Sequence, residues 1–302
     1  MSDIFEAFLF SQAKLETNQL RRVSTLVQLP PSSTRLKRSH LTRRGFVISS
    51  ASFLAMGLPR MGLATEMDVK NAILTDFGAL DLDDGPIHID MPHYSDSGVS
   101  VPLTLSVPSD MQADDYPEVI GLYGDRNPRP RIAKIYLTPM CSAAKFSTRL
   151  RIKAYQNIVA VTKMRSGALF SASRKVDVTL GACEDAVASD QFPPGWTPRI
   201  KVAVPKKVEV NGSIEVRTII GHPMETGLRR DVSGLLVPIR IAEWFRCYVN
   251  GQLAFSVKME PAIAANPYFA FRLNISEASK LDFEWVDTNL DVYKVERDIA
   301  VS

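Results

Sequence analysis

The sequence predicts an all-β protein with two β-sandwich domains, joined by a linker and preceded by an N-terminal signal segment. Short runs rich in Val, Ile, Leu and Thr recur along the chain, separated by Asp, Asn, Pro, Ser and Gly, as is typical of a sandwich or barrel. A polar, proline-bearing segment at 184–199 divides these runs into two sets. An Asn-Gly pair at 250–251 lies between two alternating arms, which indicates a β-hairpin.

Length and charge limit the class of protein. A chain of 302 residues with 45% hydrophobic content is long enough for two cores, because domains usually hold roughly 100–200 residues. The net charge of +3 is unevenly distributed: residues 1–64 hold nine Lys and Arg but three Asp and Glu, which leaves 27 basic and 30 acidic residues beyond them. The remaining cations are interspersed with carboxylates, so the composition does not favour a nucleic-acid-binding surface.

Residues 1–64 have the features of an export signal. Arg43 and Arg44 precede an apolar run at 46–59, and small residues follow up to Ala64. This order is typical of a secretory signal, and the paired arginines indicate the Tat route. A membrane anchor is the alternative, but the apolar run is shorter than the roughly 20 residues that span a bilayer. We therefore expect cleavage near Ala64 and a periplasmic protein without a membrane span in its mature form.

The first predicted sandwich covers 65–183. Its strands are the apolar runs at 101–107, 131–139, 146–154, 157–164 and 170–180. The segment at 118–126 fits either a strand or a helix. No long stretch shows the period of 3.6 residues that is typical of a helix.

The second predicted sandwich covers 200–302, after the linker at 184–199. Its strands are expected within 200–204, 208–221, 244–259, 267–276 and 280–301. The run at 244–259 is the predicted hairpin, and the last run turns at 287–289.

Few residues form a recognisable catalytic or metal-binding pattern. His88 and His93 are close in sequence but lack the Cys or carboxylate partners of a metal site, so ordinary surface histidines are the stronger interpretation. The sequence has no nucleophile elbow, phosphate-binding loop, dinucleotide-binding glycine motif or CxxC. Glu184 and Asp185 are adjacent and would point apart on an extended segment. These observations favour a binding or carrier protein over an enzyme, with no catalytic residue, metal or cofactor.

The three cysteines differ in their surroundings. Cys247 lies in a predicted strand, which indicates a small buried side chain, and Cys141 lies in a predicted turn. Cys183 follows the end of a strand and the small residues Gly181 and Ala182, which leave its thiol unshielded and the backbone mobile. Local sequence leaves two interpretations of Cys183: a reactive group presented to another protein's active site, or a disulfide with Cys141.

Longer runs resemble a known family. The stretches GVSVPLTLSVPSDM, DRNPRPRIAKIYLTP, FSTRLRI and VDVTLGAC resemble, in that order, SoxY, the sulfur-carrying subunit of the bacterial thiosulfate-oxidation system. After the linker, TIIGHPMETGLRRD, FRCYVNGQLAFSVKMEPAIAANPYFAF and LDFEWVDTNLDVY resemble its partner SoxZ. The chain thus resembles a fusion of SoxY and SoxZ, and it is similar to the SoxYZ-like carriers associated with quinoprotein dehydrogenases.

The resemblance implies a fold and a site. In that family both subunits are immunoglobulin-like sandwiches that pack on each other, and substrate is held covalently on a cysteine of a glycine-rich arm. That cysteine corresponds to Cys183, and Gly181 and Ala182 correspond to the arm. A carrier of this kind has no catalytic constellation of its own.

The resemblance also implies partners: a c-type cytochrome that loads the thiol, a hydrolase that releases sulfate and a sulfane dehydrogenase, or else a quinoprotein dehydrogenase. A second hypothesis is a non-covalent periplasmic adaptor for such a redox enzyme. Its candidate docking loop contains His222, Pro223, Met224 and Glu225, and the alternative there is a structured turn between strands.

Overall fold

The computed structural model describes residues 63–111, 114–180, 192, 195–231 and 233–302. The predicted signal, including Arg43 and Arg44, lies outside the described residues except for its last two positions. Helix α1 is Glu66–Phe77. The strands, in chain order, are β1 (Asp83–Asp84), β2 (His88–Asp90), β3 (Tyr94–Ser97), β4 (Val101–Val107), β5 (Pro117–Gly124), β6 (Arg131–Leu137), β7 (Cys141–Leu150), β8 (Gln156–Met164), β9 (Leu169–Leu180), β10 (Ile200–Ala203), β11 (Lys207–Val208), β12 (Gly212–Ile220), β13 (Ala242–Val249), β14 (Gln252–Met259), β15 (Tyr268–Ile275), β16 (Ser279–Asp287) and β17 (Val292–Val301).

The strands form two sheets, and each sheet runs through both halves of the chain. The larger sheet has the order β1-β9-β8-β5-β6-β14-β13-β16-β17-β11, with β3 also paired to β9, and the smaller has the order β10-β12-β15-β7-β4-β2. The halves meet where β14 pairs with β6 and β15 pairs with β7, both antiparallel. The prediction of two immunoglobulin-like sandwiches that pack within one chain is therefore confirmed, and the packing occurs through shared sheets.

The two sheets face each other across an aromatic core. Phe245 of β13 is fully buried, and its ring lies 5.4 Å from that of Phe269 in the opposite sheet and 4.6 Å from that of Trp285 in its own sheet. The core also crosses between the halves, since the rings of Phe146 and Phe255 are 5.9 Å apart. Strand alternation produces this arrangement because side chains two residues apart point to the same face of a sheet.

Most predicted strands occur where the alternating runs placed them. The segment at 118–126, for which the sequence fits either a strand or a helix, lies largely in strand β5. The hairpin of β13 and β14 turns at Asn250 and Gly251, whose φ angles are 49° and 79°. Positive φ at both central residues is what a type I′ turn requires, and Asn and Gly tolerate it best.

The structure contains a helix that the sequence pattern did not predict. Thr65 begins α1 with a capping box, in which its hydroxyl accepts a hydrogen bond from the Asp68 amide and the Asp68 carboxylate accepts one from the Thr65 amide. Gly78 ends the helix in the left-handed conformation. The prediction failed because the apolar residues do not mark a single face: Val69 and Ile73 are buried, whereas Met67 and Leu74 are exposed. Strands β1 to β3 were also missed, because runs of two to four residues show no alternation.

Asp76 attaches α1 to the larger sheet. Its carboxylate accepts two hydrogen bonds from the Arg131 guanidinium, at 2.8 and 2.7 Å, and one from the Tyr123 hydroxyl at 2.7 Å. The Lys134 ammonium lies 3.4 Å away. Only 6% of the Asp76 side chain is exposed, so this ion pair is shielded from water.

We expect Asp76→Asn to lower the free energy of unfolding by about 3 kcal/mol, because it leaves Arg131 without its charged partner in a shielded site. Lys70→Ala is the control: it removes an exposed helical ion pair with Glu66 and should cost no more than about 0.5 kcal/mol. Urea denaturation of the two variants measures both values. Equal losses would contradict the role of Asp76.

Candidate functional site

The predicted carrier residues Gly181, Ala182 and Cys183 lie outside the described residues. The strand that leads to them is described: Leu180, the last residue of β9, pairs with Ser97 of β3. After residue 180 the next described residue is Phe192.

Cys141 is the first residue of β7 rather than part of the predicted turn. Its thiol is free and fully buried, and Sγ donates a hydrogen bond to the carbonyl oxygen of Ala254 at 3.5 Å. Burial raises the pKa of this thiol to about 11. The alternative of a Cys141–Cys183 disulfide is therefore not the arrangement in this structure.

Cys247 is also free and fully buried, which confirms its predicted role as a small core side chain. Burial raises the pKa of its thiol well above the usual value, and the nearby Cys141 raises it further. Neither core cysteine has the exposure or the thiolate character that reactive cysteines need.

Both core thiols should therefore resist alkylation in the folded protein. At about pH 8 we expect iodoacetamide to modify Cys141 and Cys247 roughly a hundredfold or more slower than a free cysteine, because the thiolate is the nucleophile. Peptide mass spectrometry after a timed pulse, with a denatured sample as the control, measures both sites. Modification of Cys141 at the rate of a free cysteine would disprove its burial.

A cleft of about 340 Å³ lies between the two halves. The first half contributes basic side chains, and the second half contributes a mainly apolar wall. Arg151 donates a hydrogen bond to the Met224 carbonyl oxygen at 3.2 Å across the junction. Its lining includes Arg129, Arg151, Lys153, Leu228, Leu236, Val237, Pro238 and Ile239. Cations beside an apolar surface suit a ligand that has an anionic group and an apolar part.

Both ends of the segment that contains Cys183 are tied near this cleft. Leu180 pairs with Ser97, and the carbonyl oxygen of the next residue, Gly98, accepts a hydrogen bond from the Ile152 amide at 2.7 Å. Ile152 lies between Arg151 and Lys153, which line the cleft.

An aromatic cluster around Arg240 holds the chain that follows the segment containing Cys183. The guanidinium of Arg240 lies 4.3 Å from the ring centre of Phe192 and 5.2 Å from that of Trp196. Asp287 and Asp291 each hold Arg240 at 3.0 Å. Arg240 directly follows the cleft residue Ile239, so this anchor adjoins the wall of the cleft.

The proposed docking loop is largely internal. His222, Met224 and Glu225 are buried, and Pro223 is half-buried. Glu225 forms an ion pair with Arg229 at 2.9 Å, and the Glu225 backbone forms an isolated β-bridge with Arg240. Their side chains cannot form a contact surface in this conformation, which favours the other interpretation, a structured turn between strands. Sequence alone could not reveal the burial, because distant residues of the linker cover His222.

The His222 imidazole accepts one hydrogen bond and packs against aromatic rings. Its Nδ1 accepts a hydrogen bond from the Met224 amide at 3.0 Å, and its ring lies 5.4 Å from those of both Phe192 and Trp196. The Nδ1 acceptor role requires the neutral tautomer with the proton on Nε2. Burial lowers the pKa of His222 to about 4, and the positive charge of Arg240 acts in the same direction, against the opposing effect of Asp287.

The lowered pKa of His222 predicts a loss of stability in acid. The pKa of His222 is about 4 in the folded state and that of an exposed histidine is about 6.5, so the unfolded chain binds more protons between these pH values. The free energy of unfolding therefore decreases as the pH is lowered through this range. We expect wild type to lose roughly 2–3 kcal/mol more than His222→Asn between about pH 7 and pH 4.5. Denaturant unfolding at both pH values measures the difference. Equal losses would show that His222 is not buried in its neutral form.

His88 and His93 are exposed, as predicted for surface histidines. Within the described ranges no three His, Cys, Asp or Glu side chains come together as a possible metal site. The helix present in those ranges is too short to cross a membrane.

The sequence interpretation missed the cleft and the aromatic anchor. Arg129, Arg151 and Lys153 come from loops next to strands of the first half, whereas Leu236 and Ile239 come from the second half. The only available signal was the presence of Phe192 and Trp196 in an otherwise polar linker, since aromatic side chains there suggest attachment to a domain.

The fold and this junction define a class: a protein of two immunoglobulin-like sandwiches that share their sheets and border a basic cleft. The family model described as "Sulfur oxidation protein SoxY" matches residues 74–183, and that described as "Sulphur oxidation protein SoxZ" matches residues 200–297. The chain belongs to these sulfur-oxidation families and is a fusion of a SoxY domain with a SoxZ domain. Among curated proteins, none matches the sequence.

Solved structures also resemble parts of the chain. The sulfur carrier protein SoxY from Chlorobium limicola f thiosulfatophilum is 26% identical, with a TM-score of 0.33, and the match covers 38% of this chain and 98% of that one. A superoxide reductase (neelaredoxin) from Ignicoccus hospitalis is 20% identical, with a TM-score of 0.27, covering 34% of this chain and 80% of that one.

Proposed function

We propose that the protein is a periplasmic carrier of sulfur-compound oxidation, exported by a Tat-type signal, that holds a thiosulfate-derived group covalently on Cys183. The observation that carries the proposal is that the SoxY match ends at residue 183, so that this cysteine is its last position. The proposed boundaries are a leader at 1–64, a SoxY-like domain at 65–183, a linker at 184–199 and a SoxZ-like domain at 200–302.

The two core cysteines support this choice of thiol. Cys141 and Cys247 are buried within the shared sheets, and burial raises the pKa of each thiol. A carrier thiol must reach the active sites of other proteins as a thiolate. Cys183 is the remaining cysteine of the chain, and Gly181 and Ala182 before it form the proposed arm.

The cleft between the halves supports an anionic cargo. Arg129, Arg151 and Lys153 line it, and cations stabilise a nearby sulfonate through charge-assisted hydrogen bonds. The apolar wall that includes Val237 and Ile239 would exclude water from the sulfur atoms. We therefore propose that the cleft binds the sulfonate group of the cargo.

The loading step is an oxidative coupling. The Cys183 sulfur and the terminal sulfur of thiosulfate form an S–S bond, the thiol loses one proton, and two electrons leave to a c-type haem protein. The product is a cysteine S-thiosulfonate with one negative charge. A hydrolase would then release sulfate, and a sulfane dehydrogenase would oxidise the remaining sulfur, so the protein itself performs no catalysis and needs no cofactor.

The experiment mixes the reduced full chain with thiosulfate and a purified, oxidised Sox-type c-type cytochrome. We expect two haem equivalents to be reduced per carrier chain, as measured by visible absorbance, because the coupling releases two electrons. Thiosulfate with cytochrome alone, and carrier with cytochrome alone, are the controls. Haem reduction that does not depend on the carrier would contradict the proposed function.

A further inference from the structure

The outer face of the larger sheet carries an aromatic and basic surface at the junction of the two halves. We define the junction surface as Tyr136, Trp244, Arg246 and Lys258, all of which are partly exposed. Tyr136 belongs to the SoxY domain, whereas the other three belong to the SoxZ domain. The opposite face of the same strands carries Phe245 in the core.

Strand pairing builds this surface across the junction. Lys258 of β14 is directly opposite Trp244 of β13 on one side and Lys134 of β6 on the other. The rings of Tyr136 and Trp244 are stacked, with centres 6.1 Å apart and planes 24° from parallel. Because the two rings come from different domains, the surface exists only when both domains are paired.

Cations surround both rings. The Arg246 guanidinium lies 5.0 Å and the Lys258 ammonium 5.5 Å from the centre of the Trp244 ring, and the Lys134 ammonium lies 5.9 Å from that of Tyr136. These distances are within the range of cation–π attraction, which holds the side chains in place against the rings.

Positive charge on this face is only partly neutralised. Glu284 is shared by Arg246 at 2.7 Å and Lys294 at 2.9 Å. Asp76 is likewise shared by Lys134 and Arg131. Within the described part of the chain, Lys258 has no carboxylate within 4 Å. The face therefore presents excess positive charge around two partly exposed aromatic rings.

We propose that the junction surface is a docking site for an acidic surface of the partner proteins that act on the carrier. Trp, Tyr and Arg are the residues that most often dominate binding energy at protein interfaces, and the charge excess selects carboxylates as their counterparts. Lys258 lies three residues before Pro261, which lines the cleft.

The docking site gives the fusion a recognition function. A partner that contacts Tyr136 and Trp244 together recognises the assembled pair of domains and not either domain alone. The identity of the partners rests on the proposed function, but binding to this surface is measurable without any covalent step.

The test measures binding of a purified Sox-type c-type cytochrome to the full chain carrying Cys183→Ser, which prevents loading. We expect Trp244→Ala and Lys258→Glu to weaken the cytochrome affinity at least about tenfold at low salt, and added salt to weaken wild-type binding. The matched control is Lys201→Glu, which makes the same charge change at an exposed position of the smaller sheet and should leave the affinity unchanged.

Thermal unfolding of each variant checks the fold, and Lys258→Glu keeps the test valid if Trp244→Ala is unstable. The proposal is overturned if Lys258→Glu binds like the control, or if the cytochrome does not bind at all. It is also overturned if sedimentation shows that the surface joins two copies of the chain. The haem-reduction experiment tests a different claim. If the cytochrome binds but its haem is not reduced, the result counts against loading of Cys183 and still supports the docking site.

Discussion

Replacing Phe245 with alanine is expected to lower the free energy of unfolding by about 3–5 kcal/mol. The ring is fully buried and lies against five other aromatic rings from both sheets, namely those of Phe255, Phe269, Phe271, Phe283 and Trp285. Its removal leaves a cavity at the centre of the SoxZ domain, and the surrounding side chains can fill only part of that cavity.

The same substitution should destabilise the SoxY domain, because the two domains share both sheets. Cys141 belongs to a strand of the SoxY domain and Cys247 to a strand of the SoxZ domain, so pulsed alkylation at increasing urea followed by peptide mass spectrometry follows both domains where they meet. We expect both thiols to lose protection at one urea concentration, lower in Phe245→Ala than in wild type. The matched control is Tyr293→Ala, which removes a partly exposed aromatic ring from β17 and should cost less. Earlier exposure of Cys247 than of Cys141 would show that the domains unfold independently.

Cys183→Ser is expected to abolish loading completely. The hydroxyl of serine is a far weaker nucleophile than a thiolate and cannot form the S–S bond. Haem reduction by carrier and thiosulfate should therefore fall to the level of the sample without carrier. Cys247→Ala is the control, because that thiol is buried in the core and should not contribute. Loading that persists in Cys183→Ser would assign the cargo to another group.

Much of the fold follows from local pattern. Alternation predicts β4 at the residues where it occurs, Val101–Val107, and Asn250-Gly251 predicts the hairpin of β13 and β14. Both features depend on residues close in sequence, which is why one sequence suffices to predict them.

Features that depend on distant pairing could not be predicted. The contact of β6 with β14 joins residues more than 100 positions apart, and nothing in either strand specifies the other as its neighbour. The burial of His222 has the same origin, since Phe192 and Trp196 of the linker cover it. Its polar sequence context therefore suggested a surface loop that the fold does not provide.

The candidate site was predictable only in part. Cys183 is a prediction from its position after a strand and from family resemblance, whereas the cleft combines Arg151 of one domain with Ile239 of the other. Junction-surface residues look ordinary in sequence, because the stacking of Tyr136 on Trp244 requires the shared sheet.

The most direct test of the account is peptide mass spectrometry of the wild-type chain after reaction with thiosulfate and a Sox-type c-type cytochrome. We expect one S-thiosulfonate group on the peptide that contains Cys183, removed by a reductant, with the peptides of Cys141 and Cys247 unmodified. An unmodified Cys183 peptide under conditions that reduce the haem, or a Cys183 found only in an intramolecular disulfide, would contradict the assignment of this chain as a covalent sulfur carrier.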